Sequence, residues 1–144
     1  MSDSIRAFEK EMRELSWETM KAGRSILKNY KLTDLQFDIL VTLYFNKDVN
    51  TLTDISSKLH LAKSTISSVF DKLEREKYIS RKRLAADKRV IKIRLLKKGE
   101  NMINKVIEKR VEFLQNLSQG IKSSDIDKCV STMKNLIFKI SNTS

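Results

Sequence analysis

The sequence predicts a mainly α-helical chain that carries one short β-hairpin. Its 144 residues include no proline and three glycines, so the two residues that interrupt helices most strongly are almost missing. Apolar residues recur every three or four positions through most of the chain, which is the period of amphipathic helices. Between residues 79 and 96 this period gives way to an alternation of β-branched and basic residues, which is typical of strands.

The first predicted helix occupies the first 30 residues and has two apolar stripes. One stripe consists of Ile5, Phe8, Met12, Leu15, Ala22 and Ile26. The other consists of Trp17, Met20, Leu27 and Tyr30. A helix with two apolar stripes must bury more than one side. We therefore expect this helix to lie between its own domain and another chain; the alternative is an ordinary core helix.

Two capping boxes predict where the next two helices begin. Thr33 is followed three residues later by Gln36, and Thr51 is followed at the same spacing by Asp54. In this motif each side chain bonds a backbone N–H of the other residue. The helix after Thr33 is apolar nearly all round, so we expect it at the centre of the core. The helix after Thr51 is short and is expected to end near His60.

A further helix is predicted from Ala62 to Tyr78. Its apolar face is formed by Ile66, Val69, Phe70 and Leu73. Its other faces carry Lys63, Ser64, Thr65, Ser67, Ser68, Asp71 and Lys72. Ser and Thr suit an idle solvated helix surface less well than Glu or Lys, whereas small hydroxyl groups allow close approach to a DNA groove. The alternative is a plain amphipathic helix.

A two-stranded hairpin is predicted from residues 79–84 and 90–96. The connection between the strands places Lys88 and Arg89 at its tip. In a helix-turn-helix domain, such a hairpin is a wing that reaches into the minor groove of DNA. The alternative is a surface hairpin with incidental basic residues.

Two more helices are predicted after the hairpin. The first runs from Gly99 to Ile121, and the second begins at Ser124, which has the capping-box spacing to Asp127. Their apolar residues have the spacing of helices that pack along their length. With the first helix, they are expected to form one helical region that flanks the middle of the chain in sequence.

Positive charge is concentrated in the middle of the chain. Residues 53–99 contain 14 Lys and Arg against 5 Asp and Glu. Residues 1–52 contain 8 of each kind, and residues 100–144 contain 7 against 5. A basic block between nearly neutral flanks indicates a surface that faces a polyanion, most simply double-stranded DNA.

Catalytic and metal-binding functions have little support in the sequence. His60 is the sole histidine, Cys129 is the sole cysteine, and no carboxylate pair stands on an apolar background. We therefore expect no enzyme activity, metal or cofactor. We expect Cys129 to be a buried, inert thiol rather than a redox sensor. The chain has no apolar run of about 18 residues and no signal-peptide pattern, so we expect a cytoplasmic protein without membrane contact.

The order of these elements and several local motifs resemble the MarR family of bacterial winged helix-turn-helix transcription factors. YKLTDLQFDILVTLY at 30–44 resembles the family's second helix, and LTDISSKLH at 52–60 its first helix-turn-helix helix. AKSTISSVFDKLEREKYISR at 62–81 resembles the recognition helix and the entry to the wing. Arg83, followed by Asp87, Lys88, Arg89 and then IKIRLLKKGE, is similar to the wing signature.

The chain departs from the usual family pattern at three positions. Ala62 stands where the family usually has Ser or Thr as the N-cap of the recognition helix, which implies a less firmly held helix start. Lys77 stands where it usually has Gly, which implies a left-handed lysine or a different turn. Leu96 stands where it usually has Thr at the end of the second wing strand.

The resemblance implies a sequence-specific transcriptional regulator, expected to be a repressor, that binds a near-palindromic operator in double-stranded DNA as a homodimer. Residues 32–98 are expected to form the winged helix-turn-helix lobe, and residues 1–31 with 99–144 a discontinuous helical dimerisation region. The residues expected to read the major groove are Lys63, Ser64, Thr65, Ser67, Ser68 and Lys72. The residues expected to act in the wing are Arg83, Asp87, Lys88 and Arg89. Further phosphate contacts are expected from Arg81, Lys82, Lys92 and Arg94.

The family pattern also implies roles for two smaller groups of residues. Asp87 is expected to hold Arg89 by a charge-assisted hydrogen bond; the alternative for Asp87 is a turn residue. Many members of the family respond to a small molecule in a cleft between the dimer helices and the DNA-binding lobe. Trp17, Met20 and Tyr30 could line such a cleft, although core packing is the simpler interpretation.

Two other classes of protein stay open at this point. A sequence-indifferent architectural protein would also use a basic block, because charge alone gives affinity for DNA without sequence recognition. An interaction protein would use the apolar helical stripes to bind another partner, and its basic hairpin would be incidental. Competition by unrelated DNA distinguishes the first class from a sequence-specific regulator, and absence of DNA protection identifies the second.

Overall fold

The computed structural model describes residues 2–143 of the chain, and within that range it contains six helices and one two-stranded sheet. The helices are α1 (Asp3–Lys28), α2 (Asp34–Phe45), α3 (Leu52–Leu59), α4 (Lys63–Arg75), α5 (Lys97–Leu117) and α6 (Ser123–Ser141). The strands β1 (Ile79–Arg83) and β2 (Ile91–Leu95) pair antiparallel between α4 and α5. This confirms the predicted mainly α-helical chain with one hairpin.

Both predicted capping boxes are present at the starts of α2 and α3. Thr33 Oγ1 accepts a hydrogen bond from Gln36 N at 3.2 Å, and Gln36 Oε1 accepts one from Thr33 N at 2.9 Å. Asp54 N donates to Thr51 Oγ1 at 3.0 Å, and Asp54 Oδ2 accepts from Thr51 N at 3.0 Å. At the other end of α3, His60 has a left-handed backbone with φ 53°, which ends the helix where the sequence predicted.

The hydrophobic core is centred on α2, as its all-round apolar sequence predicts. Ile39 and Leu40 of α2 have no exposed surface. The fully buried side chains around them come from α3, α4, β1 and α5, and they are Ile55, Ile66, Phe70, Leu73, Ile79, Ile103 and Val106. Each such side chain contributes about 1.5–3 kcal/mol by leaving water. One core therefore fixes α3, α4 and the hairpin relative to one another.

Two predicted helix ends lie too far along the chain. The helix predicted to reach Tyr78 ends at Arg75, because Lys77 adopts a left-handed backbone with φ 63° and turns the chain into β1. The helix predicted from Gly99 to Ile121 runs from Lys97 to Leu117 instead. It is followed by a turn that contains Gly120 at φ 85°.

The predicted start of the last helix is also wrong. The N-cap of α6 is Lys122, whose extended backbone has φ −66° and ψ 139°, and it makes no side-chain capping bond. Ser124 already lies inside the helix, so the predicted capping box between Ser124 and Asp127 does not form. A helix-interior residue lacks the extended backbone that lets an N-cap side chain turn back to the first N–H groups.

The contacts divide the chain into two compact units, Met1–Arg110 and Val111–Ser144. All of the buried hydrophobic residues belong to the first unit, and no described residue after position 110 is buried. Cys129 of α6 is consequently exposed, which corrects the expectation of a buried thiol. Among the described helices, none combines the length and the apolar character that crossing a membrane requires.

Candidate DNA interface

α4 turns a polar face to solvent because its apolar residues are anchored in the core. Ile66, Phe70 and Leu73 are buried on one side of the helix. Of the residues predicted to read the major groove, Ser67 is half-buried. The exposed ones are Lys63, Ser64, Thr65, Ser68 and Lys72. A polar helix face with two cations and four short hydroxyl side chains can approach a groove closely and bond to phosphates and base edges.

The start of α4 has backbone donors without a side-chain cap. Ala62 is the N-cap, with φ −62° and ψ 141°, and it supplies no capping hydrogen bond. The first turn also contains no acidic residue. The first N–H groups of a helix and its dipole favour an anion at this end. Because Ala62 has no capping side chain, the first backbone N–H groups of α4 are left without a side-chain acceptor and suit an anion such as a phosphate.

The tip of the hairpin is held by hydrogen bonds from two arginines. Arg83 Nη1 donates to the carbonyl oxygen of Lys88 at 2.9 Å. Arg89 donates to Asp87 Oδ1 from its backbone N at 3.0 Å and from Nε at 3.1 Å. The side-chain hydrogen bond from Arg89, together with the backbone one, lowers the pKa of Asp87 and keeps it charged. The predicted contact between Asp87 and Arg89 is thus present, and its effect on DNA binding stays a prediction.

Arg89 is both oriented and exposed. Its side chain has 92% of its surface accessible, although Asp87 bonds its Nε and Nη2 atoms. A cation that is exposed and held in one direction is suited to insertion into a narrow, electronegative minor groove. Lys88 is exposed beside it, so the tip presents two cations.

Arg81 has a different environment from the one that the sequence predicted. Its Nη2 atom donates to Asp71 Oδ1 at 2.5 Å and to Glu74 Oε1 at 3.2 Å, and its side chain is only 22% exposed. Burial lowers the pKa of Arg81, but the hydrogen bonds with Asp71 and Glu74 outweigh burial and raise the pKa overall. The guanidinium is therefore engaged by two carboxylates of α4, and the predicted phosphate contact of Arg81 stays a prediction.

Lys92 is also engaged within the protein. Its Nζ atom donates to Asn50 Oδ1 at 2.9 Å, and the side chain is half-buried. Among the four residues expected to contact phosphates, Lys82 and Arg94 are exposed, and within the described part of the chain they have no ion-pair partner. Of these four residues, Lys82 and Arg94 are therefore the cations available for phosphate contacts.

The sequence did not identify the residues that fix the hairpin to the two helices. The sequence places Asp71 on the polar faces of the predicted helix and gives no role to Glu74 or Asn50. Asp71 and Glu74 are three residues apart on α4, which places them on one helix face. That spacing indicated a shared partner, but the partner lies seven to ten residues away in β1 and could not be named from it.

The three residues considered for an effector cleft are not brought together. Trp17 and Met20 line an open cavity of about 530 Å³ on α1, whereas Tyr30 lines another cavity of about 200 Å³ with Gln36 and Tyr78. Trp17 is 55% exposed, so the core-packing interpretation is wrong for this residue within the single chain. Tyr30 does pack against the core.

Comparisons with known proteins agree with this arrangement. Residues 21–106 match the sequence model of a family described as transcriptional regulator SarA/Rot. The chain belongs to the MarR/SarA family of transcriptional regulators. The match covers α4 and the complete hairpin, that is, the whole candidate DNA interface. Members of this family are transcriptional regulators rather than enzymes.

Individual relatives extend the match over nearly the whole MarR/SarA chain. An HTH-type transcriptional regulator of Bacillus subtilis, YsmB, is 33% identical over 86% of this chain and 84% of its own length. The structure of a MarR family protein from Bacillus stearothermophilus is 32% identical, with a TM-score of 0.86 over 98% of this chain and 99% of that one.

A structure with bound DNA is also similar in fold. The S. aureus MepR–DNA complex is 22% identical, with a TM-score of 0.68 over 92% of this chain and 97% of MepR. These likenesses confirm the winged helix-turn-helix fold that the motifs predicted.

Proposed function

We propose that this protein is a dimeric transcriptional repressor that recognises a near-palindromic operator in double-stranded DNA. The observation that carries the proposal is the common core, which points the polar face of α4 and the exposed cations of the hairpin outward from one lobe. In such a lobe the helix reads base edges in the major groove and the hairpin enters the adjacent minor groove. Repression then requires only that the bound protein exclude RNA polymerase from an overlapping promoter.

The proposed readers are the residues of α4 whose side chains have free polar groups. The hydroxyl groups of Ser64, Thr65 and Ser67 donate no hydrogen bond within the described part of the chain, so they are available to DNA. Arg89 is proposed to enter the minor groove, and Asp87 to hold it there. Lys82 and Arg94 are proposed to contact phosphates, which position the protein without specifying sequence.

The proposal of a homodimer rests on apolar stripes that the single chain leaves exposed. On α1 the stripe consists of Ile5, Phe8, Met12 and Leu15, which are 46–62% exposed. On α6 the stripe consists of Ile126, Val130, Met133, Ile137 and Ile140. Contiguous apolar surface of this extent marks an interface rather than a solvated face. A two-fold dimer would then place its half-sites about one helical turn, roughly 34 Å, apart.

Release by a small molecule is proposed for the cavity on α1. All the residues that line this cavity, including Trp17 and Met20, belong to one helix. A single helix cannot enclose a ligand, so a second chain would have to complete the site. Trp and Met suit such a loosely selective pocket because one is large and amphipathic and the other adapts its shape. We place the protein in the cytoplasm, where it would meet the chromosome.

Selection of bound duplexes from a random pool at about 150 mM salt tests the proposal, with the mass of the protein in solution recorded alongside. We expect an enriched inverted repeat that is bound by a dimer. Tight binding without enrichment would instead indicate a sequence-indifferent architectural protein. Absence of binding would mean that the basic block serves another partner.

Salt dependence on the selected duplex tests the phosphate contacts. If the dimer neutralises about 6–10 phosphates, log K falls with log salt at a slope of roughly −5 to −9. Arg94→Gln removes one phosphate contact from each protomer of the dimer and should make this slope shallower by about 2. The matched control is Arg6→Gln, because Arg6 is exposed on α1 outside the basic segment. A nearly flat salt response of the wild-type protein would contradict DNA binding through phosphates.

A further inference from the structure

The hairpin is attached to the rest of the lobe along both of its outer edges. Arg81 of β1 lies opposite Ile93 of β2 in the register of the sheet. The backbone N–H of Arg81 points away from β2 and donates to Glu74 Oε2 of α4 at 2.8 Å. The backbone N–H of Ile93 points away from β1 and donates to the carbonyl oxygen of Asn50, just before α3, at 2.8 Å. The hairpin is thus fixed to α4 on one edge and to the α3 side on the other.

The attachment on the α4 side uses the side chain of Arg81 as well as its backbone N–H. Glu74 receives both the backbone N–H and the guanidinium of Arg81, while Asp71, one helical turn earlier, receives the same guanidinium. Two carboxylates and an arginine form a network with three hydrogen bonds, and hydrogen bonds between charged groups are stronger than neutral ones. This network sets where β1 leaves the last turns of α4.

We infer that Arg81 is a positioning residue for DNA recognition, which fixes the hairpin relative to α4 through Asp71 and Glu74 and makes no phosphate contact of its own. The inference rests on the proposed DNA-binding function. It separates the four strand residues that were expected to contact phosphates into two groups. Arg81 and Lys92 hold the hairpin to the lobe, whereas Lys82 and Arg94 face solvent and are free for phosphates.

Removal of the carboxylates of Asp71 and Glu74 should change DNA affinity in opposite directions, depending on whether these residues position the hairpin through Arg81. If Asp71 and Glu74 were only acidic residues on a DNA-facing lobe, Asp71→Asn and Glu74→Gln would strengthen DNA binding, because each removes a negative charge near phosphates. If they position the hairpin, both substitutions weaken binding. A hairpin that is displaced by about an ångström loses contacts with DNA, even though its own residues are unchanged.

The test is equilibrium binding of the variants to the duplex selected by the wild-type protein, measured at several salt concentrations. We expect Asp71→Asn and Glu74→Gln to weaken binding by about threefold to tenfold, and Arg81→Gln by about tenfold or more, which is 1.4 kcal/mol. The matched control is Glu76→Gln, which removes the same charge at the end of α4 without contacting Arg81 and should leave binding unchanged or tighter.

The slope of log K against log salt gives a second readout that a phosphate contact and a positioning contact move differently. Arg81→Gln should leave the slope unchanged, whereas Arg94→Gln, which removes one contact from each protomer, should make it shallower by about 2. Tighter or unchanged binding by both carboxylate variants, or a slope change of Arg81→Gln equal to that of Arg94→Gln, would overturn the positioning role.

Thermal unfolding of each variant shows whether it folds. Asp71 is 57% exposed, and its substitution leaves the bonds between Glu74 and Arg81 in place. Asp71→Asn therefore decides the question if the other two variants unfold. Failure of the wild-type protein to bind any duplex would overturn the proposed function together with this inference. Tight wild-type binding with tighter binding by Asp71→Asn would overturn only the positioning role.

Discussion

Arg81 and Ile93 face each other across the hairpin, and their backbone N–H groups point in opposite directions to acceptors outside the sheet. A two-stranded hairpin by itself is marginally stable in water. Here the same register position is bonded on both sides, to Glu74 of α4 and to Asn50 before α3. The wing is therefore a fixed part of the lobe rather than a flexible appendage.

Glu74→Ala should make the amide of Arg81 exchange with solvent faster without the same effect at Ile93. The substitution removes the carboxylate that accepts the N–H of Arg81, whereas the acceptor of Ile93 is a backbone carbonyl that it leaves in place. A hydrogen bond to a charged acceptor contributes about 1.5–3 kcal/mol, so we expect at least about tenfold faster exchange. Residue-resolved hydrogen exchange measures both amides at once, and equal acceleration at both would mean that the hairpin loosens as a whole.

The capping box of α3 should make stability depend on pH in the acid range. Asp54 Oδ2 accepts the backbone N–H groups of Asn50 and Thr51 at 3.1 and 3.0 Å. The hydrogen bond from the backbone N–H of Asn50, followed by the contact with the Thr51 hydroxyl, lowers the pKa of Asp54. A carboxyl group whose pKa is lower in the folded chain stabilises the protein above its unfolded pKa of about 4, and this contribution is lost as the pH falls through the folded pKa.

Asp54→Ala should therefore lower the free energy of unfolding by about 1 kcal/mol at pH 7, which is the usual effect of losing a cap. The difference from the wild-type protein should shrink as the pH falls below about 4. Urea unfolding at several pH values measures this. Asp48→Ala is the matched control, because Asp48 is exposed in the loop before α3. A difference that stays constant down to pH values near 2 would contradict an effect of the Asp54 charge.

How much of the fold can be predicted depends on whether the signal is local. The boxes of Thr33 and Thr51 were found because both partners lie within four residues and the preceding chain is extended. The same spacing at Ser124 predicts a helix start that does not form, because the extended N-cap residue of α6 is Lys122 and Ser124 lies inside the helix. The spacing alone does not reveal where the extended residue lies. The contact of Asp87 with Arg89 is local and was predicted, whereas the partners of Arg81 and Lys92 lie on other elements.

Exposure was the least predictable property of the site and its surroundings. Cys129 and Trp17 belong to apolar stripes that indicate burial, yet a stripe does not say whether the covering surface comes from the same chain. Within the single chain both side chains are exposed. Basic residues have the same ambiguity, because a cation on a strand suits a phosphate or a neighbouring carboxylate equally well. Arg81 differs from Arg94 in that α4 supplies two carboxylates within its reach.

Lys77→Gly should stabilise the protein. Lys77 has φ 63°, and its N–H bonds the carbonyl oxygen of Glu74 at 3.0 Å in the turn that ends α4. A left-handed backbone costs a residue with a Cβ atom about 1–2 kcal/mol, part of which glycine recovers. After the larger entropy loss of glycine on folding, we expect a gain of about 0.5–1 kcal/mol in the free energy of unfolding. Thermal unfolding measures it, and Lys77→Ala, which keeps the Cβ atom, should show no such gain.

Arg89→Ala should weaken DNA binding by about 1–3 kcal/mol and reduce any preference for a narrow, A·T-rich minor groove. Asp87→Asn should have a smaller effect in the same direction, because it leaves the cation in place but removes the charged acceptor that orients it. Loss of a negative charge alone would strengthen binding, so the sign of the Asp87→Asn effect separates orientation from simple electrostatics. Duplexes that differ only in the sequence beneath the wing measure the preference. If Arg89→Ala kept the same sequence preference as the wild-type protein, the tip of the hairpin would have no part in sequence recognition.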